Sequence, residues 1–300
     1  MNRTFILIMV LCGLVLTGLG LAGCGKRQEA ARNQILMMNM PFSDSGLIDS
    51  ARRGNVAAIA AFIDAGMSPD VKNSDGMTPL MAAALAHKSE AVELLLEKGA
   101  NVNAGSSSGA TALIIAAASG DQDIVSAVLA RGPKLDQQST DGITALMFAA
   151  WNDHLDVARV LLDKGADWRV KDKLGWSALM RAAFKGNTEC ARLLLDRGAD
   201  VNERSLVGDT ALIRTAAEGH VDTIRLLLDR GAEVNASSDE RKTALLGAVK
   251  QGNAEVVQLL LEHGADAGTI DERGDTALAV AQASGLEDVC RLLRTAGARQ

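Results

Sequence analysis

Asp75-Gly76-Met77-Thr78-Pro79-Leu80-Met81-Ala82-Ala83-Ala84, continued by Leu94-Leu95-Leu96-Glu97-Lys98-Gly99-Ala100-Asn101-Val102-Asn103, is the stretch that decides the fold. Asp75-Gly76-Met77 reads as a turn, with glycine free to take the backbone angle that turns require. Thr78 suits a helix N-cap and Pro79 the first helical position. Leu80, Ala83 and Ala84 recur at the spacing of one helical face. His87-Lys88-Ser89 interrupts that face. Val92, Leu94, Leu95 and Leu96 belong to a second helix that Gly99 closes. Asn101-Val102-Asn103 leads out in extended form to the next turn.

Outward from this unit the chain repeats. Thr78, Thr111, Thr144, Ser177, Thr210, Thr243 and Thr276 follow at intervals of 33 residues, and Gly99, Gly132, Gly165, Gly198, Gly231, Gly264 and Gly297 keep the same interval. A helix–turn–helix unit of this size cannot bury its apolar face alone, whereas stacked copies can. The expected fold is therefore all-α: about eight helix–turn–helix repeats of 33 residues in a solenoid, joined by extended, β-hairpin-like loops. The repeats fall at 42–74, 75–107, 108–140, 141–173, 174–206, 207–239, 240–272 and 273–300.

The Thr78–Ala84 and Leu94–Asn103 segments resemble the ankyrin repeat, whose pattern combines Thr-Pro-Leu-His-x-Ala-Ala with Leu-Leu-Leu-x-x-Gly-Ala-Asp-Val-Asn. Thr210-Ala211-Leu212, Gly219-His220 and Leu226 to Asn235 match it again. The resemblance covers residues 42–300 and implies a protein-binding array without catalysis. The family's histidine is replaced by Met81, Ile114, Met147, Met180 and Ile213, so burial is expected to take over from its hydrogen bond. Asp153 stands where most copies carry the mid-repeat glycine. In the first copy Ser45-Gly46-Leu47 stands in for Thr-Pro-Leu, with Asp49, Arg52 and Arg53 on its helix. The last copy carries Gln282, Arg291 and Arg294; polar end repeats keep an open stack soluble.

Arg3, the apolar run Thr4–Leu21 and Leu21-Ala22-Gly23-Cys24 form a different kind of segment. A basic start, an apolar stretch and small residues at its end describe an export signal. Leu21-Ala22-Gly23-Cys24 resembles the lipobox of bacterial lipoproteins. That resemblance implies lipid on the Cys24 thiol and cleavage between Gly23 and Cys24. Residues 1–23 are then the signal and 24–41 the lipidated end and a short tether. An uncleaved anchor is the alternative, since 18 residues can span a bilayer. Gly25 in second place favours the outer membrane, by the sorting habit of such lipoproteins, with the repeats facing the periplasm. Gly25–Gln34 reads as a short polar tether. Ile35, Leu36, Met37, Met38 and Met40 are expected to cover the open side of the first repeat.

Composition narrows the function. The chain has 48% hydrophobic residues, only 3% aromatic and a formal charge of −6, with no basic stripe or aromatic platform for nucleic acid. Cys190 and Cys290 lie three repeats apart, beyond disulfide reach, and read as buried small hydrophobes. Gly105-Ser106-Ser107-Ser108-Gly109 fits the nucleophile-elbow pattern but falls in an inter-repeat turn, where the required strand–turn–helix is missing. His87, His154, His220 and His263 have no metal-ligand spacing. No catalytic residue, cofactor or metal is expected.

A partner is expected at the turn tips and the exposed side of the first helices, as in ankyrin arrays. Large apolar residues gather there in the fourth and fifth repeats: Ile143, Trp151, Leu174, Trp176 and Phe184, with Leu206 extending the patch. The rings either form an exposed contact surface or fold down over the seams between repeats. Trp168, at the Val position of the Asp-Val-Asn stretch, is expected in the core. The reading is a monomeric, membrane-tethered array that binds an envelope protein. Masking a toxic enzyme, serving as scaffold or chaperone for a periplasmic enzyme, and a structural role without dedicated partner are the open versions.

Overall fold

The structure, a computed structural model, describes residues 25–298. After a helix over residues 25–37 (α1), helices follow in pairs: α2 (Asp44–Arg53) with α3 (Val56–Asp64), α4 (Pro79–Leu85) with α5 (Ser89–Glu97), and α6 (Ala112–Ser119) with α7 (Gln122–Leu129). Then come α8 (Ala145–Trp151) with α9 (Leu155–Asp163), α10 (Ala178–Phe184) with α11 (Thr188–Asp196), and α12 (Ala211–Glu218) with α13 (Val221–Asp229). The last pairs are α14 (Ala244–Gln251) with α15 (Ala254–Glu262) and α16 (Ala277–Ala283) with α17 (Glu287–Thr295). The all-α repeat fold is as the period requires.

The described residues form two compact units. One runs up to Ser107 and includes Ser126–Pro133; the other comprises Ser108–Val125 and the chain from Lys134 onward. In the first, α2 packs on α4 and α3 on α5; in the second, α8, α10, α12, α14 and α16 stack in one layer and α9, α11, α13, α15 and α17 in another.

Each helix pair is built the same way. The hydroxyls of Thr78, Thr111, Thr144, Ser177, Thr210, Thr243 and Thr276 accept the backbone N–H three residues on, at 3.1 to 3.3 Å. Such a cap contributes about 1 kcal/mol. Met81, Ile114, Met147, Met180 and Ile213 are buried, so packing does replace the family's polar contact. A fully buried side chain of this size contributes about 1.5–3 kcal/mol. Between the two helices the chain turns through a left-handed residue at Gly54, His87, Gly120, Asp153, Gly186, Gly219, Gly252 and Gly285. His87 (φ 56°) and Asp153 (φ 61°) hold this angle without being glycine. The loops are tight turns: Asp172 N–H donates to Trp176 O at 3.0 Å and Gly175 N–H to Asp172 O at 2.9 Å. Among the described residues they carry one isolated bridge, Ile270 to Thr276, in place of an extended hairpin.

Four expectations are corrected. Residues 25–34 are not a free polar tether but part of α1. Ala31 and Ile35, four apart on one helical face, are buried and dock that helix. Leu36 and Met37 cover nothing and stay 68% and 90% exposed. In the first repeat the cap is Ser43, which accepts from Gly46 N–H at 3.2 Å; Ser45 lies inside the helix. Trp168 is half-exposed, with the Arg169 guanidinium 4.2 Å from its ring centre. Val102, Val201 and Val234, at the same point of other repeats, are half-exposed too, so this position is not core, and the indole lies out towards Gly198. Gln282, Arg291 and Arg294 of the last repeat are exposed. The signal segment, Gly23 and Cys24 lie outside the described residues. No helix among those described is long and apolar enough to cross a membrane.

Candidate protein-binding face

The face begins with a turn. Asp172, buried at its base, accepts the backbone N–H groups of Leu174 (2.7 Å) and Trp176 (2.9 Å) on Oδ1. This closure turns the two side chains apart: Leu174 is 61% exposed and Trp176 only 7%. The next turn hydrogen-bonds to this one, Leu206 N–H to Leu174 O at 3.1 Å, which sets Leu206 (73% exposed) beside Leu174. Val207 is also exposed there.

Below the tips, the rings form a stack. Trp151 ends α8 and Phe184 ends α10; their ring centres lie 5.6 Å apart at 16°. Trp176 meets Phe184 at 5.4 Å and 59°. Trp151, Phe184 and Ile143 are half-buried. Ile143, in the turn before α8, takes no part in the stack, but its backbone O closes its own turn by accepting from Ser139.

Cations cover the rings. The Arg181 guanidinium lies 5.4 Å from the Trp151 ring centre and 6.0 Å from that of Trp176. Lys185 Nζ lies 5.2 Å from Trp151, and the Arg214 guanidinium 4.8 Å from Trp176. Such contacts contribute about 0.5–2 kcal/mol each, the more so when desolvated. Buried carboxylates hold two of these cations. Arg181 donates to Asp172 Oδ2 through Nε at 3.1 Å and also through Nη2. Arg214 Nε lies 3.2 Å from Asp209 Oδ2, but Nε and Asp209 Oδ1 are buried without an aligned hydrogen bond. A misaligned ion pair at the base of an otherwise satisfied face is a weak point that a bound group can compensate.

The patch expected from sequence is thus divided. Leu174 and Leu206 stand out at the tips; Trp151 and Phe184 are half-buried under cations; Trp176 is inside. From sequence, Arg181, Arg214 and Asp172 go unmarked, and Asp209 is marked only as a turn-tip residue. Their signal was available: Arg181 and Arg214 are one period apart on the face that carries Phe148 one repeat earlier.

The mid-repeat histidines are structural. His154 donates through Nε2 to Ala118 O (3.0 Å) and His220 to Phe184 O (3.1 Å), each tying a helix pair to the one before. Cys190 is buried, and its thiol is pushed up to about 12 by burial first and by Asp153 next, so it stays protonated at neutral pH. No group of three or more metal-ligating side chains occurs among the described residues.

Stacked helix–turn–helix pairs joined by tight turns are the architecture of an interaction repeat. Models of the family described as ankyrin repeats (3 copies) match residues 24–106, 47–141, 104–172, 146–238 and 212–300, and the chain belongs to the ankyrin-repeat family. No curated protein matches it.

Proposed function

We propose that this protein is a lipid-anchored ankyrin-repeat protein of the bacterial envelope, which holds or blocks a partner protein without catalysis. The observation that carries the binding role is the Trp151–Phe184–Trp176 stack, roofed by Arg181, Lys185 and Arg214 and flanked by Leu174 and Leu206 at the tips. Aromatic and arginine side chains concentrate binding energy when a partner excludes water from them. The anchoring role rests on Leu21-Ala22-Gly23-Cys24 after an apolar run, with the repeats on the periplasmic side of the outer membrane.

A photo-crosslinker at Leu206 or Leu174 in intact cells tests the face. One dominant adduct is expected, and it should vanish when Trp151 and Phe184 are both replaced with Ala. An adduct indifferent to those changes moves the binding site elsewhere. Anchoring is tested separately with labelled fatty acid: the parent chain should take it up and Cys24→Ser should not. Labelling of Cys24→Ser at the parent level removes the lipoprotein reading.

A further inference from the structure

The 33-residue register puts Ile115, Phe148, Arg181, Arg214 and Val280 at equivalent points of the first helices; in the seventh repeat that point is Gly247. A second irregularity falls beside it. Within this unit each turn donates a backbone N–H to the turn before: Thr140 to Ser108, Lys173 to Asp141, Leu206 to Leu174 and Asp239 to Val207. Among the described residues the equivalent bond from Glu272 to Glu240 is not made. The earlier turns approach so closely because they have glycine: a β-carbon on Gly175 would lie 2.6 Å from Leu206 N. In the seventh repeat that residue is Arg241, at φ 55°. Its β-carbon is incompatible with so close an approach.

Gly247 lets α14 approach α12, since a β-carbon there would lie 3.3 Å from Ala217 Cα, and beside this approach and the missing turn contact is a cavity of about 200 Å³, lined by Ile213, Ala217, Leu246 and Gly247 and by a charged rim. Pockets for drug-sized ligands occupy about 300–1,000 Å³, so this one suits a single residue or a compound of similar size. The rim carries Arg214, Arg241, Lys242 and Lys250 against Glu240, Asp271 and Glu272, an excess of one cation in a chain of net charge −6. These cations already gather carboxylates. Glu240 pairs with Lys242, and that bond first, with Arg214 contributing, holds its carboxyl below the ordinary range. Lys250 Nζ lies 3.3 Å from Asp271 Oδ2. Among the described residues Arg214 makes one ion pair, with Asp209, and Arg241 makes none.

We propose that this cavity binds a carboxylate carried on a short apolar body, the chemistry of a C-terminal residue of a partner chain or of a free branched-chain acid. The apolar body lies against Ile213, Ala217, Leu246 and Gly247. The carboxylate is shared by Lys250 and Arg214, in competition with Glu240. If the partner's C-terminus is the source, the site extends the binding face of the proposed function, but Gly247 and Lys250 lie outside the aromatic stack and report on this site alone.

The test is a nuclear magnetic resonance titration of the full chain with N-acetyl-leucine, N-acetyl-leucinamide and a pentapeptide ending in free Ala-Leu. The acid is expected to shift Thr243, Gly247 and Lys250, and the amide to bind about tenfold more weakly because charge-assisted hydrogen bonds are lost. Lys250→Gln, at an exposed position, should weaken the acid about fivefold. Glu240→Gln should tighten it, and Gly247→Val should abolish binding. A pentapeptide about tenfold tighter than N-acetyl-leucine identifies a chain terminus; equal affinities identify a free acid. Acid and amide binding alike, shifts confined to other repeats, or no shift with any probe overturns the proposal. If Gly247→Val fails to fold, the acid-against-amide ratio and Lys250→Gln decide alone.

Discussion

Trp151 and Phe184, one period apart in the chain, stack with ring centres 5.6 Å apart and planes 16° from parallel. Each ends the first helix of its repeat, so equal positions in two copies have become a single contact. An aromatic pair adds about 0.5–1.5 kcal/mol beyond its buried area. A double-mutant cycle with Trp151→Ala and Phe184→Ala, read by urea unfolding, is expected to return a coupling of that size. A coupling indistinguishable from zero would mean that the rings do not stay together in solution.

Asp172 is the keystone of the neighbouring turn, since it accepts two backbone N–H groups and holds Arg181 as well. Removing one member of a buried pair costs about 3–5 kcal/mol. Asp172→Ala should therefore lower stability by that order and shift tryptophan emission to the red as Trp176 becomes wet. Stability within 1 kcal/mol of the parent, on the scale of about ±0.5 kcal/mol for ordinary surface changes, would contradict the role assigned to this carboxylate.

Between paired helices the backbone demands a left-handed residue, and glycine meets the demand without strain. Gly186→Ala should cost about 1–2 kcal/mol for the backbone alone. It should cost more in fact, because the new β-carbon would sit 2.6 Å from His220 Nδ1. The reverse change at His87 (φ 56°) should raise the melting temperature. If both substitutions prove neutral in thermal unfolding, the turn is looser than drawn.

Cys190 and Cys290 should resist alkylation in the folded chain. Burial and the Asp153 carboxylate keep the Cys190 thiol protonated, with its pKa pushed up to about 12. Iodoacetamide at pH 8 should leave both unmodified until denaturant is added, as mass spectrometry of the peptides would show. Modification of Cys190 at the rate of a free thiol would place it at the surface.

Asp271 supplies a pH dependence. Burial works to raise its carboxyl, but the N–H groups of Arg273 and Asp275 together with Lys250 bring it below the ordinary value. A carboxyl lowered in the folded state stabilises fully above its unfolded pKa, about 3.9, and loses that contribution as pH falls through the folded value. The last two repeats should weaken on acidification below about pH 4. Asp271→Asn should flatten that part of the profile in amide exchange of α16; an unchanged profile would exclude Asp271 as the source.

The repeat was legible because its causes are local. A hydroxyl at the cap, glycine at two left-handed points and an apolar face of helical spacing each act within a few residues, and their recurrence at 33 fixes an all-α stack before any contact is known. The apolar substitutes for the family histidine, from Met81 to Ile213, were legible for the same reason. Helix α1 was not: residues 25–34 are polar, and only the docking of Ala31 and Ile35 shows which face is inside.

What the sequence by itself determined is the family, the register and the cap of every repeat after the first, because these depend on residue type and spacing along the chain. The tertiary structure alone decided that Trp176 points inward and Leu174 outward, that Arg181 and Arg214 cover the rings, and that Gly247 lies beside a cavity. Each of these depends on which neighbour approaches across the stack and how closely. A period states that two residues are equivalent; only packing states whether they touch.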